Sequence, residues 1–423
     1  MSSHPIHDFQ YKKGELYCEG VKVSAIASKV GTPVYIYSYN TLVGHYRKIQ
    51  QAFKSLDPVI CFAMKANSNL AVLKALVKEG AGFDIVSGGE LGKAKCVKAE
   101  MKRVVFASVG KTDEEIKSAI RAGILLFNVE SRSELENIDR IAGTLKRCVQ
   151  VALRINPDID APTHDKINTG SLRKKFGIDL KTARDIFTGH KVFRNLRLNG
   201  VHIHIGSQIV DGKPFLAAIK KALAFIDGLE KDGIKVEYFD IGGGLGIIYR
   251  NETPQTAKEY ADKVLPLLKG RTFRLIMEPG RFIVGNAGIF ITRKLYLKDN
   301  GVKKFMIVDA GMNDLVRPSM YGAYHEIVPV KLAGNKKIVC DVVGPICESG
   351  DVFAHDRKIE NVDDGELLAM LSAGAYGYAM SSNYNARPRA AEVMVKGNTW
   401  AVVQARETFK DLVQGASIPG FLK

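Results

Sequence analysis

Lys65 ends an apolar run, "ICFAM", and leads into small and polar residues, Ala66, Asn67, Ser68 and Asn69. A cation there is costly, because lysine is almost never fully buried without a partner. It can be one half of a salt bridge. It can also be an amine whose pKa desolvation lowers until it attacks a carbonyl carbon. Other costly residues close other apolar runs. Asp84 stands in "GFDIVSGGE", Arg154 before "INP", and His202 and His204 in "VHIHIGSQ". Gly242, Gly243 and Gly244 stand in "DIGGGLG", and Glu278 and Arg281 in "MEPGR". The two histidines are two apart and face one side of a strand. They can bind a metal or present a flat ring for stacking, and no third ligand at metal spacing accompanies them. The glycines make a tight turn, and they also let backbone N–H groups approach a phosphate. Glu278 can pair with Arg281 or hold a ring nitrogen protonated.

These residues recur with a period. Apolar runs fall near 59–63, 82–86, 104–107, 124–128, 149–155, 199–204, 236–241 and 273–277, separated by helical patterns such as "SNLAVLKALVKEG" and "TDEEIKSAIRAG". Strands alternating with helices at this length imply parallel βαβ units, and eight of them close into a TIM-like (β/α)8 barrel. An open doubly wound sheet would carry a phosphate fingerprint after its first strand, and no GxGxxG opens the first helix here. In a barrel the carboxyl ends of the strands share one face, and that face carries the active site. The glycine turn follows the seventh strand, a usual place for phosphate in barrels. A lysine, a phosphate turn, a stacking histidine and a carboxylate for a ring nitrogen together describe a pyridoxal 5'-phosphate site. Lys65 would then sit at a strand end to reach the cofactor's aldehyde in the barrel mouth.

After residue 282 the texture changes to short β-rich runs, "IFITRKLYLKD", "KKFMIVDAG", "KKIVCDVVG", "LLAMLSAG", "AEVMVKG" and "TWAVVQ", joined by Gly, Asn or Asp turns. The expected organisation is therefore N-terminal strands over 1–38, a barrel over 39–281, and a C-terminal β domain over 282–423. That domain is expected to be a β-sandwich or β-barrel that also takes in the N-terminal strands.

Composition narrows the function classes. The chain has 423 residues, 46% hydrophobic and 25% charged, which describes an ordinary globular protein. No apolar stretch has transmembrane length, and the opening lacks the basic-then-apolar pattern of a signal peptide. The six cysteines are scattered without a CxxC pair. Reduced thiols in a cytoplasm fit that pattern better than a disulfide framework. The net charge of +16 is dispersed, with no patch interleaved with aromatics and no recognisable module, so no nucleic-acid partner and no membrane partner are expected.

"FAMKAN", "HIHIGSQ", "DIGGGLG", "EPGR", "RPSMYGAYHEI", "VGPICESGD" and "SAGAYGYAMSSNYNARPR" occur in this order over nearly the whole chain. In these segments the sequence resembles the diaminopimelate decarboxylases, barrel-type (fold type III) pyridoxal phosphate enzymes. The resemblance implies decarboxylation of meso-2,6-diaminopimelate to L-lysine and CO2, the last step of lysine biosynthesis. It implies Lys65 as the residue that carries the cofactor and Cys347 as the second catalytic residue, a proton donor whose ordinary pKa near 8.5 suits neutral pH. His204 would stack on the ring, and Glu278 would face its nitrogen. Ser207, Gly242, Gly243 and Gly244, with the backbone at Gly280 and Arg281, would hold the phosphate. Arg281, Arg317, Tyr321 and Glu348 would bind substrate, and Tyr376 would touch both cofactor and substrate. No metal is implied. Members are homodimers in which the partner's "CESGD" loop completes each site. Two arginines suit a distal carboxylate, and Glu348 suits a distal ammonium. A substrate giving a diamine needs no such arginines, so an ornithine- or arginine-like decarboxylase is the weaker reading. A non-catalytic cofactor-binding homologue would be expected to have lost Lys65 or Cys347, and both are present.

Overall fold

A computed structural model describes residues 7–159 and 175–422. The first six residues of the expected N-terminal segment therefore lie outside the described residues. The chain parts into two units, one spanning Val43–Val284 and the other joining Met1–Leu42 to Gly285–Lys423.

The first unit is a closed barrel of eight parallel strands. They are β1 (Val59–Ala63), β2 (Gly82–Ile85), β3 (Val104–Phe106), β4 (Leu126–Val129), β5 (Val149–Arg154), β6 (Leu196–His202), β7 (Tyr238–Asp240) and β8 (Arg274–Met277). The ring closes where β8 pairs with β1. The short strands are apolar because each is covered on both faces, and all residues of β1, β2, β3 and β4 are buried. The expected strand positions hold to within a few residues.

The turns after the strands start helices by capping. Asn69, Ser87, Thr112, Ser131, Asp179 and Thr256 each accept a backbone N–H from the first helical turn. Each cap contributes about 1 kcal/mol. Thr112 and Thr256 do so within full capping boxes, with Glu115 and Glu259. The same short segments that carry the unusual residues are thus also tied down locally.

The second unit is built on a nine-stranded sheet. Along its main path the order is Val352–Glu360, Lys337–Val343, Lys304–Val308, Gly288–Asp299, Val34–Ser38, Ala391–Lys396 and Thr399–Gln404. Leu367–Met370 and Ile327–Pro329 join off this path. One N-terminal strand therefore enters the large sheet, between Gly288–Asp299 and Ala391–Lys396. The others, Phe9–Lys12, Glu15–Cys18 and Val21–Lys22, form their own three-stranded sheet. The stretch between is not strand-like as expected. Val23–Val30 is a helix that buries Val23, Ile26 and Ala27, an i, i+3, i+4 face. That face packs with Phe9, Leu16 and Cys18 against Ile36, Ile289 and Val393 of the sheet. The strand Val352–Glu360 was not expected either. Its exposed middle, His355 and Asp356, dilutes the apolar signal that marks strands.

Candidate active site

In the barrel unit the costly residues gather at the carboxyl ends of the strands. Lys65 lies in the 3-10 turn Met64–Ala66, which directly follows β1. Its Nζ donates to Asp84 Oδ2 at 2.6 Å. Asp84, in β2, has no exposed side-chain surface, whereas Lys65 keeps 36% of its own, so the amine is reachable from one side. Burial first, then the charge of Glu278, pushes Asp84 up to about 7 against the pull of Lys65. Lys65 is thus a salt-bridge partner after all, and the partner explains its chemistry. An acid near 7 can take back the proton that a nucleophilic amine must lose.

Behind this pair lies a buried polar cluster. Asn128 Nδ2 donates to Glu278 Oε1 at 3.0 Å and to Asp240 Oδ2 at 3.2 Å. His202 Nε2 stands 3.4 Å from Glu278 Oε2, close enough for electrostatic attraction but outside hydrogen-bond geometry. The two carboxyls diverge. Burial and the charge of Glu278 raise Asp240 well above the usual range, although Gly242 N–H and Asn128 stabilise its anion. Burial also acts to raise Glu278, but His202 and then Lys65 outweigh it and hold Glu278 below the usual carboxylate range. Of the pair, Asp240 is therefore the side that favours the proton and Glu278 the side that favours the charge. Ligand atoms of His202, Asp240 and Glu278 come within 4.8 Å of one another. They could bind a cation only after Asp240 gave up that proton.

The glycine turn shows why no side chain is tolerated there. A Cβ at Gly243 would collide with the Glu278 carbonyl oxygen, and one at Gly244 with that of Gly206. Gly242 and Gly244 also have φ of +65° and +114°. The turn passes between the ends of β6 and β8 with its backbone in direct contact with both. His204 is half-buried beside it, and Nδ1 accepts the Gly243 N–H at 3.2 Å. Desolvation, Arg154 and Lys65 lower the His204 pKa well below its ordinary value, so the ring is neutral and flat. Ser207 Oγ takes two donations from the Arg281 guanidinium, each at 3.2 Å, and Arg281 Nη1 reaches the Tyr249 hydroxyl at 2.7 Å. Gly280 passes close to Ala63 and Ala66.

These residues fit pyridoxal phosphate. The set offers a reachable amine, an ionised buried carboxylate, a neutral ring, and a glycine and hydroxyl cradle beside a guanidinium. Asp84 Oδ1, Asn128 Oδ1 and His202 Nδ1 are buried without a hydrogen-bond partner, as in a site with polar capacity in reserve. Sequence reading singled out Asp84 and His202 without giving them a role, and it passed over Asn128, Asp240 and Tyr249. An acid inside an apolar strand, as in "GFDI" and "YFDI", was the available signal.

The expected residues of the sheet unit are held differently. Arg317 opens the short helix Arg317–Tyr321 and is buried. Its Nη1 meets His325 Nε2 at 2.8 Å, while His325 Nδ1 meets the Leu371 carbonyl at 2.8 Å. A carbonyl can only accept, so Nδ1 carries the hydrogen and Nε2 accepts from Arg317. Tyr321 and Tyr376 are half-buried, and Tyr376 adopts a φ of +56°. Cys347 and Glu348 are exposed on the turn that follows Lys337–Val343.

Residues 40–285 match the family model for the pyridoxal-binding domain of pyridoxal-dependent decarboxylases. The chain is 48% identical over 406 residues to diaminopimelate decarboxylase of Aquifex aeolicus, covering 96% of each protein. Among solved structures it resembles diaminopimelate decarboxylase from Helicobacter pylori complexed with L-lysine, with a TM-score of 0.89 and 40% identity over 92% of this chain and 98% of that one. It also resembles the enzyme from M. jannaschii in co-complex with L-lysine, with a TM-score of 0.93 and 38% identity over 98% and 99% of the two chains.

Proposed function

The chain belongs to the pyridoxal-dependent decarboxylases, and from that premise we propose that it converts meso-2,6-diaminopimelate to L-lysine and CO2. The observation that carries this reading is the convergence of Lys65, Asp84, His204, the 242–244 glycines and Glu278 on the carboxyl ends of one closed barrel.

Pyridoxal phosphate supplies an electron sink for the bond that breaks, and the protein does the rest. Lys65 Nζ would hold the cofactor, and Asp84, 2.6 Å away, is placed to take the proton that the amine must lose. Glu278, buried and held below the usual carboxylate range, would keep the ring nitrogen protonated. His204, neutral, offers its face. Ser207, Gly242, Gly243, Gly244, and the backbone of Gly280 and Arg281 hold the phosphate. The Cα–carboxylate bond of the substrate breaks as CO2 leaves, and Cys347 gives the proton that completes the new C–H bond. Arg281, Arg317 and Tyr321 bind the distal carboxylate and Glu348 the distal ammonium. Tyr376 lies against both substrate and cofactor. Holding the scissile bond in one orientation is the task of this distal set.

Cys347 and Glu348 are exposed in the single chain. We assign them to the barrel of a second copy, in a homodimer whose two sites are each completed by the other chain. A cytoplasmic location suits the six free cysteines. Among the described residues no helix is long and apolar enough to cross a membrane. Incubation with pyridoxal phosphate and meso-diaminopimelate tests the activity. Lysine and CO2 in equal amounts support it, and their absence rejects it.

A further inference from the structure

The turn that carries Cys347 and Glu348 has a well-fixed base. Asp351 is buried, and its carboxylate accepts the N–H groups of Ile346 at 2.7 Å and Met312 at 2.6 Å. Ser319 Oγ donates to the Gly350 carbonyl at 2.7 Å. The tip is held partly by its own backbone, with the Glu348 N–H donating to the Ile346 carbonyl at 2.8 Å, and partly by another segment. Asn385 Oδ1 accepts the Cys347 backbone N–H at 3.0 Å, and the Tyr384 hydroxyl donates to Glu348 Oε2 at 2.8 Å. Neighbouring side chains in sequence thus grip neighbouring residues of the tip.

The gripping segment is itself strained and braced. Asn385 and Ala386 have φ of +55° and +54°. Asparagine tolerates this left-handed region, but alanine rarely adopts it. The strain is held from both ends. Ser382 N–H donates to the Asn313 carbonyl at 2.8 Å, and Arg387 Nη2 to the Asp309 carbonyl at 2.8 Å. Asn383 Nδ2 donates to Glu407 Oε2 at 2.6 Å. Two successive left-handed residues turn the backbone sharply, and the side chains of Tyr384 and Asn385 both reach the tip. Strain of this kind persists where the surrounding structure over-determines it.

We propose that Tyr384 and Asn385 are positioning residues. Asn385 fixes the backbone that aims the Cys347 thiol. Tyr384 occupies Oε2 of Glu348, which sets the carboxylate's rotation and leaves Oε1 for the substrate's distal ammonium. Specificity for a second ammonium then rests on a preset carboxylate. This inference rests on the reading of Cys347 and Glu348 as site residues.

Two arms test it on the cofactor-loaded enzyme. The first reads hydrogen exchange at the Cys347 amide by mass spectrometry. Asn385→Gly keeps the left-handed backbone and removes the acceptor, so exchange should quicken roughly 10-fold and kcat should fall. Asn385→Asp restores an acceptor oxygen and should restore both. The second arm compares diaminopimelate with 2-aminopimelate, which has the same chain and both carboxylates but no distal amine. Tyr384→Phe should lower the ratio of kcat/KM values, first substrate over second, by roughly 10-fold, the size of one hydrogen bond to a charged group. Unchanged exchange in Asn385→Gly, or equal losses on both substrates in Tyr384→Phe, overturns the proposal. If the parent enzyme leaves diaminopimelate intact, the functional reading fails, and the exchange arm still decides whether Asn385 holds the tip. Thermal midpoints near that of the parent exclude misfolding as the cause.

Discussion

The barrel mouth and the Cys347 turn place reactive groups by opposite means. In the barrel, Asp84, Asp240 and Glu278 are buried, and each is attached to a strand or to its immediate end. Their environment sets their chemistry, raising two carboxyls and lowering the third. On the turn, Cys347 and Glu348 are exposed, with the Cys347 N–H donating to Asn385 and the Glu348 carboxylate accepting from Tyr384. A buried site can tune a proton because desolvation magnifies every neighbouring charge. The turn contributes placement, through hydrogen bonds to a separate segment. On the proposed reading, the groups that would hold the cofactor lie in the barrel, and Cys347 and Glu348 on the turn would meet the substrate.

That division is sharpest in the two residues whose loss should cost most. Lys65→Ala is expected to abolish both turnover and the cofactor adduct fixed by borohydride. Cys347→Ala should lose nearly all turnover and keep the adduct. A Lys65→Ala variant that still forms a reducible linkage would move the attachment to another lysine. Mixing the two variants tests the second copy. After dissociation and random reassociation, half the dimers are mixed, and each mixed dimer has one site with both defects and one with neither. Roughly a quarter of all sites should work if the two-fold operator pairs each Lys65 with the other chain's Cys347. Recovery of nothing at any mixing ratio would place both residues in one chain's site.

A smaller loss should separate the two buried carboxyls. Glu278→Gln removes the charge that holds a ring nitrogen protonated, and kcat should fall on the order of 10²- to 10³-fold. Burial and Glu278 drive Asp240 toward its neutral form, to which Asp240→Asn is close in shape and charge, so this change should cost far less. Equal losses would mean that the charge is shared differently from the order found here. On the turn, Glu348→Ala should leave the bound cofactor's absorbance unchanged and raise KM for diaminopimelate roughly 10-fold. A change in that absorbance would break the comparison, because it would give the turn a part in the barrel's chemistry.

The barrel was legible in the sequence because its signals are local and repeated. Apolar strands alternate with helical patterns eight times, unusual residues close six of those strands, and "DIGGGLG" marks a backbone passage that admits no Cβ. The electrostatic order of the cluster was not legible. Asn128 lies 112 residues from Asp240 and 150 from Glu278 in sequence, and only the closed ring brings it to them. His325 was missed for the same reason on a smaller scale. Its tautomer depends on a carbonyl 46 residues away. The helix Val23–Val30 was hidden by the β-rich residues on either side, although Val23, Ile26 and Ala27 carry a helical period.

The gentlest test concerns the Lys65–Asp84 pair, and it asks whether the barrel tunes protons at all. Attachment of the cofactor needs Lys65 as a neutral amine, so one proton must leave it. With Asp84 ionised, the proton can pass across 2.6 Å to give a neutral pair. With Asp84 already protonated, it cannot. The rate of cofactor loading should therefore rise with pH through about 7, the value to which burial and Glu278 push Asp84. Asp84→Asn should remove that limb and leave any dependence on the amine itself at another pH. Stability gives an independent reading. The folded-state value lies above the unfolded one, near 3.9. The folded cofactor-free protein thus binds more protons than the unfolded chain between about pH 4 and about 7, and stability falls as pH rises through that window. In Asp84→Asn the thermal midpoint should lose this part of its slope. Parallel pH profiles of loading and of midpoint in parent and variant would show that Asp84 titrates like a surface carboxylate, and the reading of the barrel as the part that tunes protons would fall with it.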